Sequence, residues 1–373
     1  MRPSRNIVVC CDGTGNSFDN LVDDSNVVKL YTSLTIDDSQ IGYYHPGVGT
    51  MGAPNSLCRL GRWSSKVLGL VWGVGLLANV SDAYRYLMDN YADGDRIYLF
   101  GFSRGAFTVR ALASLIHVYG LLCAGNHGAI PYIVRMYAQR SREAAHNQTT
   151  FESNEAFKWQ FSHKSDVKVH FCGLWDTVSA YGWLFRDPVE LPFLGNNPII
   201  QTGRHAISID ERRCLFQDNL WGQSRGDQDI RQVWFSGVHS DIGGSYPEPS
   251  SGLSKIALEW MLIEALSAGL CINKDKVAVV LGREVNLPEI RGVPNFVAPS
   301  NTAKIHKSLH GLWWWLLEFL PHRDPHKYAQ GWYIPKGRRR TIPPDSYIHE
   351  SVLTSPWQPK NLPKHFVEPW LRY

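Results

Sequence analysis

A glycine-flanked serine is the first group in the sequence that could carry covalent chemistry. Residues 101–105 read G-F-S-R-G and place Ser103 between two glycines. An apolar run, residues 96–100, comes directly before them, and a segment of helical periodicity, residues 106–119, follows. This context predicts a sharp strand-to-helix turn that exposes the hydroxyl as a nucleophile and directs the backbone N–H of Arg104 toward an oxyanion. An ordinary strand-to-helix turn is the alternative interpretation.

A serine nucleophile needs a general base, and the base needs an acid that orients it. Asp176 follows the apolar run 167–175, and His239 follows the run 232–238. The carboxyl ends of parallel strands meet at one edge of a sheet, which is where ligands bind in open α/β folds. The spacing therefore predicts a triad of Ser103, Asp176 and His239.

A glycine-rich loop follows the first apolar run, residues 7–11. It begins with Asp12, Gly13 and Thr14. In α/β-hydrolase folds a loop in this place supplies the second oxyanion donor, which predicts the backbone N–H of Gly13 or Thr14 for that role. Asp12 is expected to shape the loop. A phosphate-type turn or a plain glycine turn is the alternative, and a P-loop is excluded because no Gly-Lys-Ser/Thr follows.

Two other functions are compatible with these side chains. A metal-dependent phosphoesterase could use Asp12, Asp176, His239 and Asp241 at strand ends, although a nucleophile elbow would then have no purpose. A catalytically silent interaction protein could use the same scaffold. Asp241 is also the rival of Asp176 as the orienting acid, but its place two residues after His239 favours a role in shaping the loop. The serine mechanism requires no metal and no cofactor, so none is expected.

The elements that must position these residues alternate between short apolar strands and helical segments. This order predicts an α/β fold with a mostly parallel sheet covered by helices. The predicted strands are 7–11, 41–44, 96–100, 167–175 and 232–238. We expect an α/β-hydrolase core over residues 1–275, with a helical insertion at 120–165. Residues 276–373 are expected to form an irregular, Trp-rich extension packed on that core.

Composition narrows the class of protein. The 373 residues carry a net charge of +4, which does not indicate nucleic acid as a partner, and the basic run 336–340 is interpreted as a solvated turn. The 7 cysteines show no C-x-x-C spacing, which favours reduced, buried thiols. We expect no signal peptide at the start of the chain, and the apolar runs 67–80 and 309–320 are too short to span a bilayer. We expect a soluble protein that is cytoplasmic as synthesised, and signal-independent secretion stays open.

An aromatic cluster lies in the C-terminal part of the chain. Trp313, Trp314 and Trp315 are consecutive within the apolar run 312–320. The simpler interpretation is a helix packed on the core. The alternative is an amphipathic lid near a hydrophobic substrate, with peripheral membrane contact through these tryptophans.

Six segments together resemble one known family. They are 12–16 (DGTGN), 46–50 (PGVGT), 101–107 (GFSRGAF), 175–177 (WDT), 210–213 (DERR) and 234–244 (WFSGVHSDIGG). Jointly they resemble the α/β-hydrolase domain family that includes phospholipase effectors of type VI secretion, over roughly residues 5–265. The resemblance implies a Ser-Asp-His triad at Ser103, Asp176 and His239 and carboxylic ester hydrolysis. Phospholipids are the substrates of some members. The sequence therefore predicts a serine hydrolase that cleaves an ester, preferably a lipid, through an acyl-enzyme.

Overall fold

The computed structural model describes most of the chain. The described residues are 3–13, 24–47, 72–140, 148–178, 191–283, 295–323 and 332–371. Thr14, one of the predicted oxyanion donors, lies outside these ranges, as do residues 48–50 of the second glycine motif.

A parallel sheet of eight strands forms the centre of the described structure. The strands are β1 (Asn6–Cys11), β2 (Gln40–His45), β3 (Arg96–Phe102), β4 (Val169–Trp175), β5 (Ile200–Ser208), β6 (Asp229–Phe235), β9 (Ser346–His349) and β10 (His365–Glu368). Their order across the sheet is β10-β9-β6-β5-β4-β3-β1-β2. The structure confirms the predicted α/β class with its mostly parallel sheet. A separate hairpin pairs β7 (His322–Arg323) with β8 (Trp332–Tyr333) in antiparallel fashion.

Helices cover both faces of the sheet. They are α1 (Asn26–Ser33), α2 (Trp72–Asn90), α3 (Arg104–Tyr119), α4 (Ile130–Arg140), α5 (Gln148–Phe161), α6 (His239–Gly243), α7 (Gly252–Ser267), α8 (Lys274–Val280), α9 (Leu312–Glu318) and α10 (Glu350–Leu353). Helices α4 and α5 fall within the predicted insertion. None of the helices in the described residues is long and apolar enough to cross a membrane.

The alternation of strand side chains explains why both faces are covered. In β1, Ile7 and Val9 belong to a core with α2 and α3, whereas Val8 and Cys10 belong to a second core with α1 and α7. All four side chains are fully buried. A strand that is apolar on both sides needs a layer on each face, as parallel sheets generally do.

Three strands of the sheet were not among the predicted ones. Strand β5 contains two polar residues, Arg204 and His205, so its sequence does not read as an apolar run. Both side chains are nevertheless buried. Arg204 is accommodated there because it pairs with Asp229 at 2.5 Å and also with Glu264. Strands β9 and β10 come from the C-terminal part, and β9 pairs with β6. This part therefore extends the sheet as well as packing on it, and the division at residue 275 stays a prediction.

The turn after β3 leaves no room for a side chain at Gly105. A Cβ atom on Gly105 would lie 2.0 Å from the carbonyl oxygen of Cys11 on the neighbouring strand. We expect Gly105→Ala to lower the free energy of unfolding by at least about 2 kcal/mol, because the helix must move off the sheet. Urea unfolding measures the change. Gly128→Ala is the matched control, since open space surrounds that position; equal stability of the two variants would contradict the prediction.

Candidate active site

Ser103 lies at the bend between β3 and α3. Its backbone has φ 58° and ψ −119°, a conformation that a non-glycine residue adopts only when the surroundings enforce it. The bend is held from the adjacent strand, since the Ser103 N–H donates to the carbonyl of Trp175 at 3.0 Å. A Cβ on Gly101 would lie 2.6 Å from the backbone nitrogen of Ala106, so the strand and helix approach closely only with glycine there. This is the strained strand-to-helix turn that the sequence predicts.

His239 brings an imidazole to the serine from the start of the helix that follows β6. Strand β6 ends at Phe235, and Gly237, with φ 119°, turns the chain so that His239 begins α6. The prediction that this histidine ends the strand itself is thus off by a short turn. Its Nε2 lies 2.8 Å from Ser103 Oγ. The rings of Phe102 and Phe216 pack on it at centroid distances of 4.7 and 4.9 Å.

Asp176 completes a continuous chain of hydrogen bonds. It follows β4 directly, and its Oδ2 lies 2.6 Å from Nδ1 of His239. Its Oδ1 accepts the backbone N–H of Ser208 at 2.8 Å. The structure therefore brings together the three residues that sequence spacing selected, from the ends of three different elements.

The electrostatics of this chain suit proton transfer. Burial lowers the pKa of the His239 imidazole, and the hydrogen bond to Asp176 opposes that effect only in part. Burial by itself would raise the pKa of Asp176, but the Arg340 charge and the His239 hydrogen bond bring it well below the usual range. At neutral pH the carboxylate is ionised and the ring is neutral. Such a ring donates from Nδ1 to Asp176 and accepts the serine proton at Nε2.

The loop after β1 lies against the nucleophile. A Cβ on Gly13 would lie 3.3 Å from Cβ of Ser103. The Gly13 N–H, however, donates to Asp12 Oδ1 at 2.6 Å, so Gly13 supplies close approach and its N–H already has an acceptor. Asp12 also accepts from Ser25 at 2.5 Å and Tyr44 at 2.8 Å, which places it as a loop-shaping residue. Arg104 contributes the first backbone N–H of α3, and its oxyanion role stays a prediction.

Asp241 is directed away from the histidine ring. Its carboxylate accepts the Val238 N–H at 3.0 Å and lies 2.6 Å from Nδ1 of His306. The geometry thus distinguishes the two candidate acids. Asp176 contacts the His239 ring, and Asp241 connects the start of α6 to His306 in the C-terminal part of the chain. Within the described ranges, no three His, Cys, Asp or Glu side chains converge as a metal site would require.

Glu211 is a site residue that sequence reasoning did not assign. It is almost fully buried and accepts the His239 backbone N–H at 3.2 Å. It also accepts from the Arg213 guanidinium at 2.9 Å and from Ser308 Oγ at 2.8 Å. Burial raises the pKa of Glu211, but its bonds to Arg213 outweigh this and lower it to about 2. The segment 210–213 carries part of the family resemblance, but no role was assigned to Glu211 because β5, the strand that places it, was not predicted.

Arg340 corrects the interpretation of the basic run 336–340 as a solvated turn. Lys336, Arg338 and Arg339 are exposed, but the Arg340 side chain is only 5% exposed. Its guanidinium donates to both oxygens of Asp176, at 2.5 and 3.1 Å. Nothing in the local sequence distinguishes this arginine from its neighbours, because its partner lies 164 positions away.

The tryptophan helix α9 lies beside the site. Trp314 packs edge-on against Phe216, which itself packs against His239. Trp313 is 66% exposed, and Leu312 and Leu316 are exposed as well. A cavity of about 590 Å³ lies along this helix. The helix therefore contacts Phe216 through Trp314 and presents Leu312, Trp313 and Leu316 to solvent.

The sequence matches one family model. Residues 5–264 match the family described as T6SS, Phospholipase effector Tle1-like, catalytic domain. An uncharacterized protein of Saccharomyces cerevisiae is 36% identical over 221 residues, covering 57% of this chain and 32% of that protein.

Two solved structures are also similar. An uncharacterized protein from Pseudomonas aeruginosa has 19% identity and a TM-score of 0.44, with 79% of this chain and 49% of that chain covered. The Tle1 effector bound to the VgrG spike of the type 6 secretion system has 20% identity and a TM-score of 0.35, with 68% and 54% covered. This chain spans about a third of the Saccharomyces protein and about half of each of these structures.

The buried Glu211 carboxylate should make stability depend on pH. Its folded pKa of about 2 lies below an unfolded value of about 4.3, so its stabilisation is present above pH ~4.3 and lost as pH falls toward 2. We expect Glu211→Gln to lower the unfolding free energy at pH 7 by on the order of 3 kcal/mol, with a gap to wild type that narrows below pH 4. Urea unfolding at pH 7, 5, 4 and 3 tests this. The exposed Glu155→Gln is the control; a gap that is constant with pH would refute the assignment.

Proposed function

Because the chain belongs to the family of T6SS Tle1-like phospholipase effector catalytic domains, we propose that it is a serine hydrolase cleaving carboxylic esters of lipids. The observation that carries this proposal is the continuous hydrogen-bond chain from Ser103 Oγ through His239 to Asp176, at 2.8 and 2.6 Å. A bare G-x-S-x-G pattern would be weak support. A strained serine already bonded to a buried imidazole–carboxylate pair is the arrangement that activates a hydroxyl.

The proposed reaction proceeds through an acyl-enzyme. His239 Nε2 removes the proton from Ser103 Oγ as that oxygen attacks the ester carbonyl. The protonated ring is stabilised by Asp176 and returns the proton to the leaving alcohol as the C–O bond breaks. A water molecule, deprotonated by the same nitrogen, then attacks the acyl-enzyme. The ring gives that proton to Ser103 Oγ as the acyl C–O bond breaks, which releases the carboxylic acid and regenerates the free serine.

The tetrahedral oxyanion needs donors that are in place before the reaction. The Arg104 N–H opens the 16-residue helix α3, where the helix dipole favours negative charge. We propose this N–H as one donor and that of Thr14 as the second. Each donor of this kind contributes about 3 kcal/mol to lowering the barrier.

A lipid substrate is proposed on two grounds. The family is one of phospholipase effectors. In addition, α9 places the exposed side chains of Leu312, Trp313 and Leu316 near the site, connected to His239 by Trp314 and Phe216. Tryptophan favours the water–lipid interface because its ring is apolar and its N–H can still hydrogen-bond. We propose that this face contacts the lipid surface from which the ester is taken.

Replacement of Ser103 tests the reaction class. We expect Ser103→Ala to lower kcat/KM at least about 10³-fold on every ester that the wild type cleaves, because alanine lacks the oxygen that forms the acyl-enzyme. A panel of phospholipids, neutral lipids and short soluble esters, read by mass spectrometry, measures the products. Wild type should react with a fluorophosphonate probe, and Ser103→Ala should not.

Two outcomes would replace the proposal. Chelator-sensitive phosphoester cleavage that survives Ser103→Ala would favour a metal-dependent phosphoesterase. Wild-type protein that is folded, inert on the whole panel and unreactive toward the probe would favour a silent interaction protein.

Truncation of the exposed helix face tests the lipid contact. We expect Trp313→Ala to lower activity on phospholipid vesicles about 10-fold and to change activity on a short soluble ester less than about 2-fold. The reason is that burying one large apolar side chain at an interface contributes about 2 kcal/mol. Trp159→Ala is the matched control, since Trp159 is 71% exposed on a different helix. Equal losses on both substrates, or an equal vesicle loss for the control, would count against this contact.

A further inference from the structure

Arg340 connects the C-terminal part of the chain to the acid of the proposed triad. It lies outside residues 5–264, the range that matches the family. Its Nη1 donates to Asp176 Oδ1 at 2.5 Å, and its Nη2 donates to Oδ2 at 3.1 Å. A planar guanidinium bound to both oxygens of a carboxylate fixes the plane and direction of that group.

The same guanidinium holds two neighbours of Asp176. Nη1 also donates to Ser208 Oγ at 2.7 Å, and Ser208 donates its backbone N–H to the carboxylate. Nη2 donates to the carbonyl of Phe216 at 2.5 Å, and the Phe216 ring packs on His239. One side chain thus fixes both the acid behind the imidazole and an aromatic wall beside it.

Burial makes this ion pair poor evidence for a purely stabilising role. Both side chains are at most 5% exposed, and the cost of desolvating two charges commonly offsets their attraction. The place of the pair is informative, because Asp176 Oδ2 is shared between Arg340 and His239 Nδ1. A cation there compensates the carboxylate charge that would otherwise favour a protonated imidazole.

The other charges that face His239 are known from the elements around it. Glu211, after β5, accepts the His239 backbone N–H and favours the protonated ring. Arg213, whose guanidinium lies over Phe216, disfavours it. Glu211 and Arg213 pair with each other, which leaves Asp176 as the charge in direct contact with the ring and Arg340 as the group that modulates it.

We propose that Arg340 is a positioning residue that orients the Asp176 carboxylate toward His239 and, by compensating its charge, sets the pH range in which His239 acts as a base. This inference rests on the proposed serine hydrolase function. It assigns to the C-terminal part of the chain a direct contribution to the site.

The test compares Arg340→Met, Arg340→Lys and Arg338→Met on a short soluble ester across pH 5 to 9. Without the guanidinium, the full charge of Asp176 makes His239 more basic. We expect Arg340→Met to lower kcat/KM about 10- to 100-fold and to move the midpoint of its acid limb up by about one pH unit. Arg340→Lys keeps a charge but loses the two-oxygen contact, so its midpoint should stay near that of wild type while kcat falls. Arg338→Met, on the exposed part of the same turn, should match wild type.

Three results would overturn the positioning role. A wild-type midpoint of the acid limb in Arg340→Met, with activities expressed per active site from a fluorophosphonate titration, would make Arg340 only a structural clamp. Arg340→Lys with unchanged kcat and midpoint would show that the two-oxygen contact is dispensable, and this variant decides the matter if Arg340→Met does not fold. A midpoint shift in Arg338→Met equal to that of Arg340→Met would assign the effect to general surface charge.

Ser103→Ala, assayed in parallel, separates the two proposals. Activity that survives in Ser103→Ala means that the serine mechanism itself is wrong. Loss of activity in Ser103→Ala together with a wild-type midpoint in Arg340→Met means that only the role of Arg340 is wrong.

Discussion

The buried carboxylate of Asp176 is the charge on which the architecture of the site depends. An ionised carboxylate is stable in the interior only if both oxygens have donors. Here Ser208 and Arg340 satisfy one oxygen, and His239 and Arg340 satisfy the other. These donors come from the end of β5, the start of α6 and the C-terminal part. Several distant segments must therefore be in place before this one group can be both charged and buried.

Backbone strain at Ser103 is the second constraint, and the sheet supports it. The positive φ of Ser103 persists because β1, β3 and β4 fix the chain on both sides of the bend, and because Gly101 and Gly105 let α3 pack without clashes. The cost of such a conformation, of order 1–3 kcal/mol, is offset by the packing of the surrounding core. The result is a hydroxyl whose Oγ lies 2.8 Å from Nε2 of His239.

The C-terminal part contributes three things to one region of the molecule. It adds β9 and β10 to the sheet, it binds the Asp176 carboxylate through Arg340, and it presents apolar side chains to solvent through α9. Glu318, at the end of α9, is itself buried and accepts the backbone N–H of Cys214 at 2.7 Å. The exposed tryptophan face is thus connected to the 3₁₀ turn Cys214–Phe216, whose Phe216 ring touches His239.

Local sequence determined the features that depend on neighbours along the chain. Apolar runs predicted β1, β3 and β4, and the glycine spacing predicted the bend at Ser103, because steric limits at a tight turn act within a few residues. Asp176 and His239 could be selected because strand ends in a parallel sheet share one edge. Three features required the tertiary structure: the choice of Asp176 over Asp241 by geometry, the hydrogen bonds that converge on Glu211, and the burial of Arg340. Each depends on a partner far away in sequence. No local pattern shows whether a charged side chain in a polar strand or a basic turn will be buried against a distant carboxylate.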